Sequence, residues 1–330
     1  MSWIRQSDEK KSSTRILVEK IIKEGKIPSH IAIIMDGNRR FARKNGLSSV
    51  QMGHSLGFET LANTLEWCSH FGITTVTVYA FSIENYKRSE EELAGLWNIV
   101  REKMNRLFQE EGKLREKGVR VRILGNLSLL PKDIQKLVSR AMKMTLNNNQ
   151  ATLNVCLSYT SREEIAQAMK KCAQGVQDGI ILSSDIDERV LERCLYTADE
   201  HGYNPPQLLI RTSGEVRLSD FLLWQSSFSV LSFVRVLWPE FSVWHFYGVL
   251  LHFQSCWGEV SKLLEEHKKN IEELDEREIL EIVSRDCIKC CDTELNQKVK
   301  DYKEDRQIRL NNFFQWLNRR REETIESMLL

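Results

Sequence analysis

The chain has 330 residues, 42% hydrophobic and 28% charged, with a formal net charge of +1 at pH 7. That length holds one large domain or two smaller ones, and the composition is that of a folded globular protein. The charge balance argues against a dedicated nucleic-acid binder, and no apolar run approaches the roughly 20 residues of a membrane span. Residues 1–26 lack a hydrophobic run followed by a small-residue cleavage site. Within them, Ile16–Ile22 reads as a short amphipathic helix, with Trp3 and Ile4 upstream. It suits a membrane surface or a hydrophobic groove, and an ordinary docked helix fits equally well. Strands are then expected over 30–36, 74–82, 119–125, 152–159, 207–213 and 231–237. Helices are expected near 54–71, 90–117, 131–146, 162–178 and 187–195. The alternation predicts an α/β fold, a mainly parallel six-stranded sheet flanked by helices on both faces.

Composition shifts near Gly258, beyond which the chain is dense in Glu, Lys, Arg and Asp and has no proline or further glycine. The expected organisation is an amphipathic segment over 1–26, a main domain over 27–257 and a charged helical appendage over 258–330. A partly frayed solvated tail is the plainer alternative for the last part. Of the eight cysteines only Cys287, Cys290 and Cys291 cluster. No second Cys/His pair completes a zinc site, so they read as free thiols.

Ligands on parallel sheets sit at the carboxyl ends of the strands. The informative residues fall there. His30–Ile31–Ala32–Ile33–Ile34–Met35–Asp36–Gly37–Asn38–Arg39–Arg40 is a buried strand that ends on an acid and turns through glycine into a helix. Free backbone N–H groups and the helix dipole at such a turn favour an anion, most often phosphate. Arg39 and Arg40 add forked donors, and Asp36 makes sense if Mg²⁺ bridges its carboxylate to phosphate oxygens. Asp-Gly turns after strands are common, so it is the whole string that carries weight. Gly53–His54 opens the next expected helix, where His54 reads either as a further phosphate donor or as a structural histidine. The second strand leads into Phe81, Ser82, Glu84, Asn85 and Arg88, the fourth to Tyr159 and Arg162, and the fifth to Arg211, Thr212, Ser213, Arg217 and Ser219. Two arginines six residues apart with hydroxyls interleaved suit a second diphosphate. Two phosphate sites and one acid point to the joining of two phosphorylated substrates. Leu93, Leu96, Trp97, Val100, Met104, Leu107 and Phe108 recur at helical spacing, as do Leu56, Leu61, Leu65 and Phe71. Such stripes are usually core, and a long apolar substrate needs walls of the same kind.

In three long motifs the chain resembles the cis-prenyltransferases, the undecaprenyl and dehydrodolichyl diphosphate synthases. They are Met35–Asp36–Gly37–Asn38–Arg39–Arg40, the run from Tyr79 through Ala-Phe-Ser-Ile-Glu to Asn85, and the run from Arg211 through Thr-Ser-Gly-Glu-Val-Arg-Leu-Ser-Asp-Phe-Leu-Leu-Trp to Gln225. The likeness runs from about His30 to Gln254 and includes Leu237–Trp238–Pro239–Glu240. The start Met1–Ser2–Trp3–Ile4 and the charged tail are similar to the animal branch, the dehydrodolichyl diphosphate synthase catalytic subunits. The resemblance implies that Asp36 holds Mg²⁺. It implies that Gly37, Asn38, Arg39, Arg40 and His54 hold the allylic diphosphate, and that Arg211, Arg217 and Ser219 hold isopentenyl diphosphate. Asn38 and Ser82 become candidates to relay the proton lost on condensation, and Phe81, Glu84 and Arg88 support the site. It further implies addition of isopentenyl units to farnesyl diphosphate for dolichol synthesis and protein glycosylation. The implied setting is the endoplasmic reticulum membrane, peripheral on the cytosolic side, with a Nogo-B-receptor-like regulatory subunit as partner. The paired DDxxD motifs of trans-prenyl synthases are absent from the sequence.

Four positions depart from the family pattern. Val50 stands where an arginine usually serves the allylic diphosphate, Val230 where homodimeric bacterial members carry a glutamate, and Gln207 where an acid usually precedes the Arg211 strand. Ser255–Cys256–Trp257–Gly258 lacks the arginine of the carboxyl-terminal Arg-x-Gly motif. The animal subunit also lacks that glutamate and that arginine, and takes the latter from its partner. Val50 and Gln207 favour a weakened paralogue that binds and regulates the partner. Intact Asp36, Arg40, Arg211 and Arg217 favour a catalytic subunit, which is the expectation.

Overall fold

The computed structural model describes residues 12–285 and 291–329. Trp3, Ile4, Cys287 and Cys290 lie outside the described residues.

Six strands form one all-parallel sheet: β1 (His30–Ile34), β2 (Thr75–Ser82), β3 (Val119–Leu124), β4 (Ala151–Tyr159), β5 (Leu208–Arg211) and β6 (Val230–Phe233). Their order is β3-β4-β2-β1-β5-β6. All five residues of β1 and all four of β5 are buried, as expected where helices cover both faces of a parallel sheet. The helices are α1 (Ser13–Glu24), α2 (Asn38–Lys44), α3 (Val50–His70), α4 (Glu90–Gln109), α5 (Glu111–Glu116), α6 (Lys132–Met144), α7 (Ser161–Gln177), α8 (Glu188–Cys194), α9 (Val243–Arg285) and α10 (Asp292–Ser327). The chain leaves β1 toward β2 and returns later to place β5 on the other side of β1. That reversal opens a crevice above the carboxyl end of β1.

Three helices differ from expectation. α3 starts at Val50, one turn before His54, because the Ser49 side chain caps it by accepting the Met52 N–H. The expected helix over 90–117 is two, broken at Glu110 (φ −102°, ψ 14°). α9 runs unbroken through Gly258, so the composition shift falls inside a helix. A single exposed glycine costs a long helix only about 1 kcal/mol relative to alanine.

α1 forms as expected, yet Ile16, Leu17 and Ile21 are exposed while Glu19 is buried. The carboxylate is tolerated there because it is paired. Glu19 accepts from Tyr247 Oη at 2.5 Å and Arg15 Nε at 3.1 Å, and lies 2.8 Å from His70 Nε2.

The chain divides into two compact units. One comprises the described residues up to Glu164, Asn204–Trp257 and those from Thr324 onward, and holds the sheet. The other comprises Ile165–Tyr203 and Gly258–Glu323. In this second unit α10 is tied down by charge. Arg309 donates to both oxygens of the fully buried Asp185, at 2.7 and 2.8 Å, and Arg306 donates to Asp275 at 2.5 Å. Phe313 is fully buried against Gly175, where even a Cβ would stand 2.4 Å from its ring. The carboxyl-terminal stretch is therefore docked helix rather than frayed tail. No described helix is long and apolar enough to cross a membrane.

Candidate active site

β1 delivers Asp36 to the crevice. After it the chain must turn sharply, and Gly37 does so at φ +114°, where any Cβ would meet Leu237 at 3.0–3.1 Å. The turn is locked from outside. Trp238 N–H donates to Asp36 O at 3.0 Å, and Thr212 Oγ1 donates to the same carbonyl at 2.7 Å. Asn38 then opens α2 against a glycine face of α3. A Cβ on Gly53 would lie 2.5 Å from Asn38 O, and one on Gly57 would lie 2.3 Å from Asn38 Oδ1. Trp238 Nε1 donates to Gly57 O at 2.7 Å and closes the stack. Asn38 Oδ1 is buried there without a hydrogen-bond partner.

β5 delivers Arg211 beside Ile34, its register partner. Arg211 is 3% exposed. It donates to Asp36 Oδ2 at 2.9 Å, to Ser219 Oγ at 2.7 Å and to the Arg217 carbonyl at 2.5 Å. Its Nε is buried and unpartnered. Arg40, one turn into α2, reaches Asp36 Oδ2 at 3.5 Å and Ser213 Oγ at 2.5 Å. Burial works against an ionised Asp36. Hydrogen bonds from Arg211 and Ser213 and the charges of Arg211 and Arg40 outweigh it and hold the carboxyl below its ordinary range. Arg217, on the following turn, pairs with Glu215 at 2.6 Å.

β2 contributes from the other side. Ser82 closes the strand and caps a short 3₁₀ turn, with its Oγ accepting the Glu84 N–H and Asn85 Oδ1 accepting the Ser82 N–H. Phe81 is buried against Trp97, with ring centroids 4.8 Å apart. Arg88 donates to Glu92 at 2.8 Å, and Arg39 lies 3.5 Å from the same carboxylate. Glu84 is exposed and pairs with Lys87. His54 sits one turn inside α3, not at its opening, with Nε2 buried and unpartnered. Burial, aided by the Arg88 and Arg39 charges and opposed by Glu92, lowers its pKa to about 4. The ring is neutral near pH 7 and offers one N–H rather than a cation.

Every residue to which the resemblance gives a role lines one cavity of about 1050 Å³, at the upper end of the size range of ligand pockets, whereas Tyr159, Thr212 and Ser213 are not part of its wall. Asp36, Arg40, Arg211 and Arg217 mark its polar end. Leu61, Leu96, Trp97, Val100 and Met104 line its apolar part. The apolar stripes thus divide, since Leu107 and Phe71 are buried core and are not among the lining side chains. Sequence reasoning gave no role to Arg43, Tyr79, Lys103 or Asp220, which also line the cavity. Arg43 was within reach, because it follows Arg39 by four residues on one helix face. Lys103 gives no such signal.

The departures fall elsewhere. Gln207 lies at the amino end of β5, where its Oε1 accepts from Ser29 N–H at 2.6 Å. Val230 opens β6 opposite Leu208 and is 4% exposed. Both stand at the end of the sheet away from Asp36. Val50 is the first residue of α3 and is not part of the cavity wall, and Ser255–Gly258 lies within α9.

Among the described residues no three His, Cys, Asp or Glu side chains gather into a metal-holding group. Asp36, an ionised carboxylate at the end of β1 beside Arg40 and Arg211, nevertheless fits Mg²⁺. That ion is commonly held by one or two carboxylates, with water and substrate phosphate completing the shell.

Arginines and acids above the strand ends of a parallel sheet, at the polar end of a largely apolar cavity, form a site suited to an anion with an apolar tail. The family model described as putative undecaprenyl diphosphate synthase matches residues 34–261. A dehydrodolichyl diphosphate synthase complex subunit of Homo sapiens is 48% identical over 291 residues, covering 87% of this chain and 85% of the relative. A tritrans,polycis-undecaprenyl-diphosphate synthase (geranylgeranyl-diphosphate specific) of Thermococcus kodakarensis is 43% identical over 238 residues, 72% of this chain and 88% of that one. Among solved structures, lavandulyl diphosphate synthase from Lavandula x intermedia, in complex with dimethylallyl diphosphate, superposes with a TM-score of 0.64 at 32% identity. The match covers 69% of this chain and 95% of that one. The chain belongs to the cis-prenyltransferase family.

Proposed function

We propose that this chain is the catalytic subunit of a heteromeric cis-prenyltransferase. It adds isopentenyl diphosphate units to farnesyl diphosphate and makes a long-chain dehydrodolichyl diphosphate for dolichol synthesis and protein glycosylation. The observation that carries this reading is the convergence of Arg40 and Arg211 on the Asp36 carboxylate, at 3.5 and 2.9 Å, at the mouth of a largely apolar cavity.

In this reading Gly37, Asn38, Arg39, Arg40 and His54 hold the allylic diphosphate, and Arg211, Arg217 and Ser219 hold isopentenyl diphosphate. Asp36 would hold Mg²⁺, which would supply positive charge to the diphosphate leaving group. The C1–O bond of the allylic substrate breaks, C4 of isopentenyl diphosphate bonds to that C1, and a proton leaves C2. The arginines stabilise the charge that gathers on the leaving group, because they are held in place before the reaction. Ser82 Oγ accepts the Glu84 N–H, which holds the hydroxyl at the cavity wall. With Asn38 it relays the departing proton toward diphosphate oxygen. Phe81, Glu84 and Arg88 support these groups. The apolar walls exclude water from the allylic cation.

Residues 27–257 are the catalytic domain of this reading, 1–26 a membrane- or groove-facing segment and 258–330 an appendage. The partner is a Nogo-B-receptor-like subunit that supplies the Arg-x-Gly contact which Ser255–Gly258 cannot. The setting is the cytosolic face of the endoplasmic reticulum, with exposed Ile16, Leu17 and Ile21 of α1 suited to peripheral contact. A weakened regulatory paralogue is not favoured, because Gln207, one of its two supports, lies at the other end of the sheet. The test is co-purification with such a partner, followed by incorporation of isopentenyl units with Mg²⁺ present. The complex is expected to turn over and the chain alone to be nearly inactive. Full activity of the isolated chain would remove the heteromeric reading, and an inactive complex would remove the catalytic one.

A further inference from the structure

The segment from Arg217 to Gln225 carries two residues assigned above to isopentenyl diphosphate, and its backbone is strained. Ser219, Asp220 and Leu222 have φ of 51°, 59° and 47°. Residues with a Cβ adopt this left-handed region only where their surroundings impose it. Those surroundings are the start of α7. Arg162 N–H donates to Asp220 Oδ1 at 3.0 Å, and Arg162 Nε donates to Asp220 Oδ2 at 2.8 Å. Ser161 N–H donates to the Asp220 carbonyl at 2.8 Å, and Ser161 Oγ accepts the Leu223 N–H at 2.9 Å. Phe221 is fully buried and stacks on Tyr79 at 4.5 Å.

We propose that Asp220 is a positioning residue for isopentenyl diphosphate. It caps α7 from a distant segment and thereby fixes the left-handed turn that presents Ser219 and Arg217. The inference rests on the assignment of that substrate under the proposed function. Arg162 is 76% exposed and Asp220 12%. Solvent screens the ion pair between them, which leaves the bond to the backbone N–H as the stronger tie. A cap needs an acceptor oxygen rather than a charge, and asparagine caps about as well as aspartate. An acid that touches metal or substrate would not tolerate that exchange.

The experiment compares wild type, Asp220→Ala and Asp220→Asn in complex with the partner subunit. It reads KM for isopentenyl diphosphate at saturating farnesyl diphosphate, with calorimetric titration of each substrate on the same samples. Asp220→Ala is expected to weaken isopentenyl diphosphate by about tenfold in KM and in affinity while farnesyl diphosphate binding stays within about twofold. Asp220→Asn is expected to return to within about threefold of wild type. Equal loss in both variants would overturn the proposal, because the charge itself would then be acting. Unchanged isopentenyl diphosphate binding in Asp220→Ala would overturn it as well. If Asp220→Ala lacks a cooperative melting transition, Ser161→Ala is read instead. It deletes the Leu223 contact together with a hydrogen bond to the Tyr159 side chain and leaves Asp220 in place, so selective weakening of isopentenyl diphosphate supports the proposal and no weakening overturns it. A wild-type complex that binds both substrates without turnover counts against the proposed function, while the calorimetric comparison still decides the role of Asp220.

Discussion

At the amino ends of the strands, polar groups are matched. His30 Nδ1–H donates to the Asn204 carbonyl at 2.8 Å, its Nε2 lies 2.8 Å from Thr77 Oγ1, and Gln207 accepts from Ser29. At the carboxyl ends of the same sheet, Asn38 Oδ1, His54 Nε2 and Arg211 Nε are buried with no partner. Buried polar atoms without partners are uncommon and costly. The amino ends thus satisfy their own polar groups within the fold, while the carboxyl ends leave three buried atoms unpaired, as the proposed function requires of a binding site. The same comparison sorts the family departures. A changed residue at the amino ends, such as Gln207 or Val230, alters how strands start and touches no cavity group.

The comparison predicts effects of very different size. Asp36→Ala should cut turnover of the complex by more than about a hundredfold, roughly 3 kcal/mol on the barrier, while the protein keeps a cooperative melting transition. A variant with more than about a tenth of wild-type kcat, a barrier change under roughly 1.4 kcal/mol, would place the chemistry elsewhere.

The amino end should show itself in pH dependence. Burial, aided by the Arg122 charge and opposed by hydrogen bonds to the Asn204 and Pro205 backbone, lowers the His30 pKa to about 4 from 6.5. The unfolded chain then binds a proton that the folded chain refuses. Stability is full above pH 6.5 and falls as pH drops toward 4, by about 3 kcal/mol for this one residue. Urea midpoints measured across that window should flatten in His30→Gln, and an unchanged slope would show that other groups set the acid limit.

A smaller effect tests the close packing of α2 on α3. In Gly53→Ala the new Cβ meets a backbone oxygen that cannot swing aside. The net loss of stability should be about 1–2 kcal/mol, the overpacking exceeding the gain in helix propensity. Farnesyl diphosphate should bind more weakly than isopentenyl diphosphate does, because Asn38 moves and Arg211 does not. Equal weakening of both would mean that α2 carries no separate substrate.

The smallest effect is expected for Gln207→Asp, which introduces the acid that the resemblance leads one to expect there. Turnover should stay within about twofold, and stability within about 0.5 kcal/mol. A large gain in activity would mean that the two ends of the sheet are coupled.

The sequence by itself determined the sheet and the strand ends at which its charged residues gather. Six β-rich runs alternating with helical patterns name a parallel sheet, because buried strands require covering helices. An acid, glycine and arginines directly after a strand fall at its carboxyl end in any such sheet, so Asp36, Arg40, Arg211 and Arg217 were legible as a group. Only the tertiary structure decided which polar residues stay unpartnered, since that depends on neighbours distant in the chain. Gly57 becomes meaningful only when Asn38 and Trp238 close on it. His54 is neutral only because the fold buries it beside Arg88 and Arg39. Asp220 becomes a cap only when the turn after β5 meets the start of α7. Local pattern follows from backbone geometry and the period of side chains, while desolvation and pairing are properties of the assembled fold.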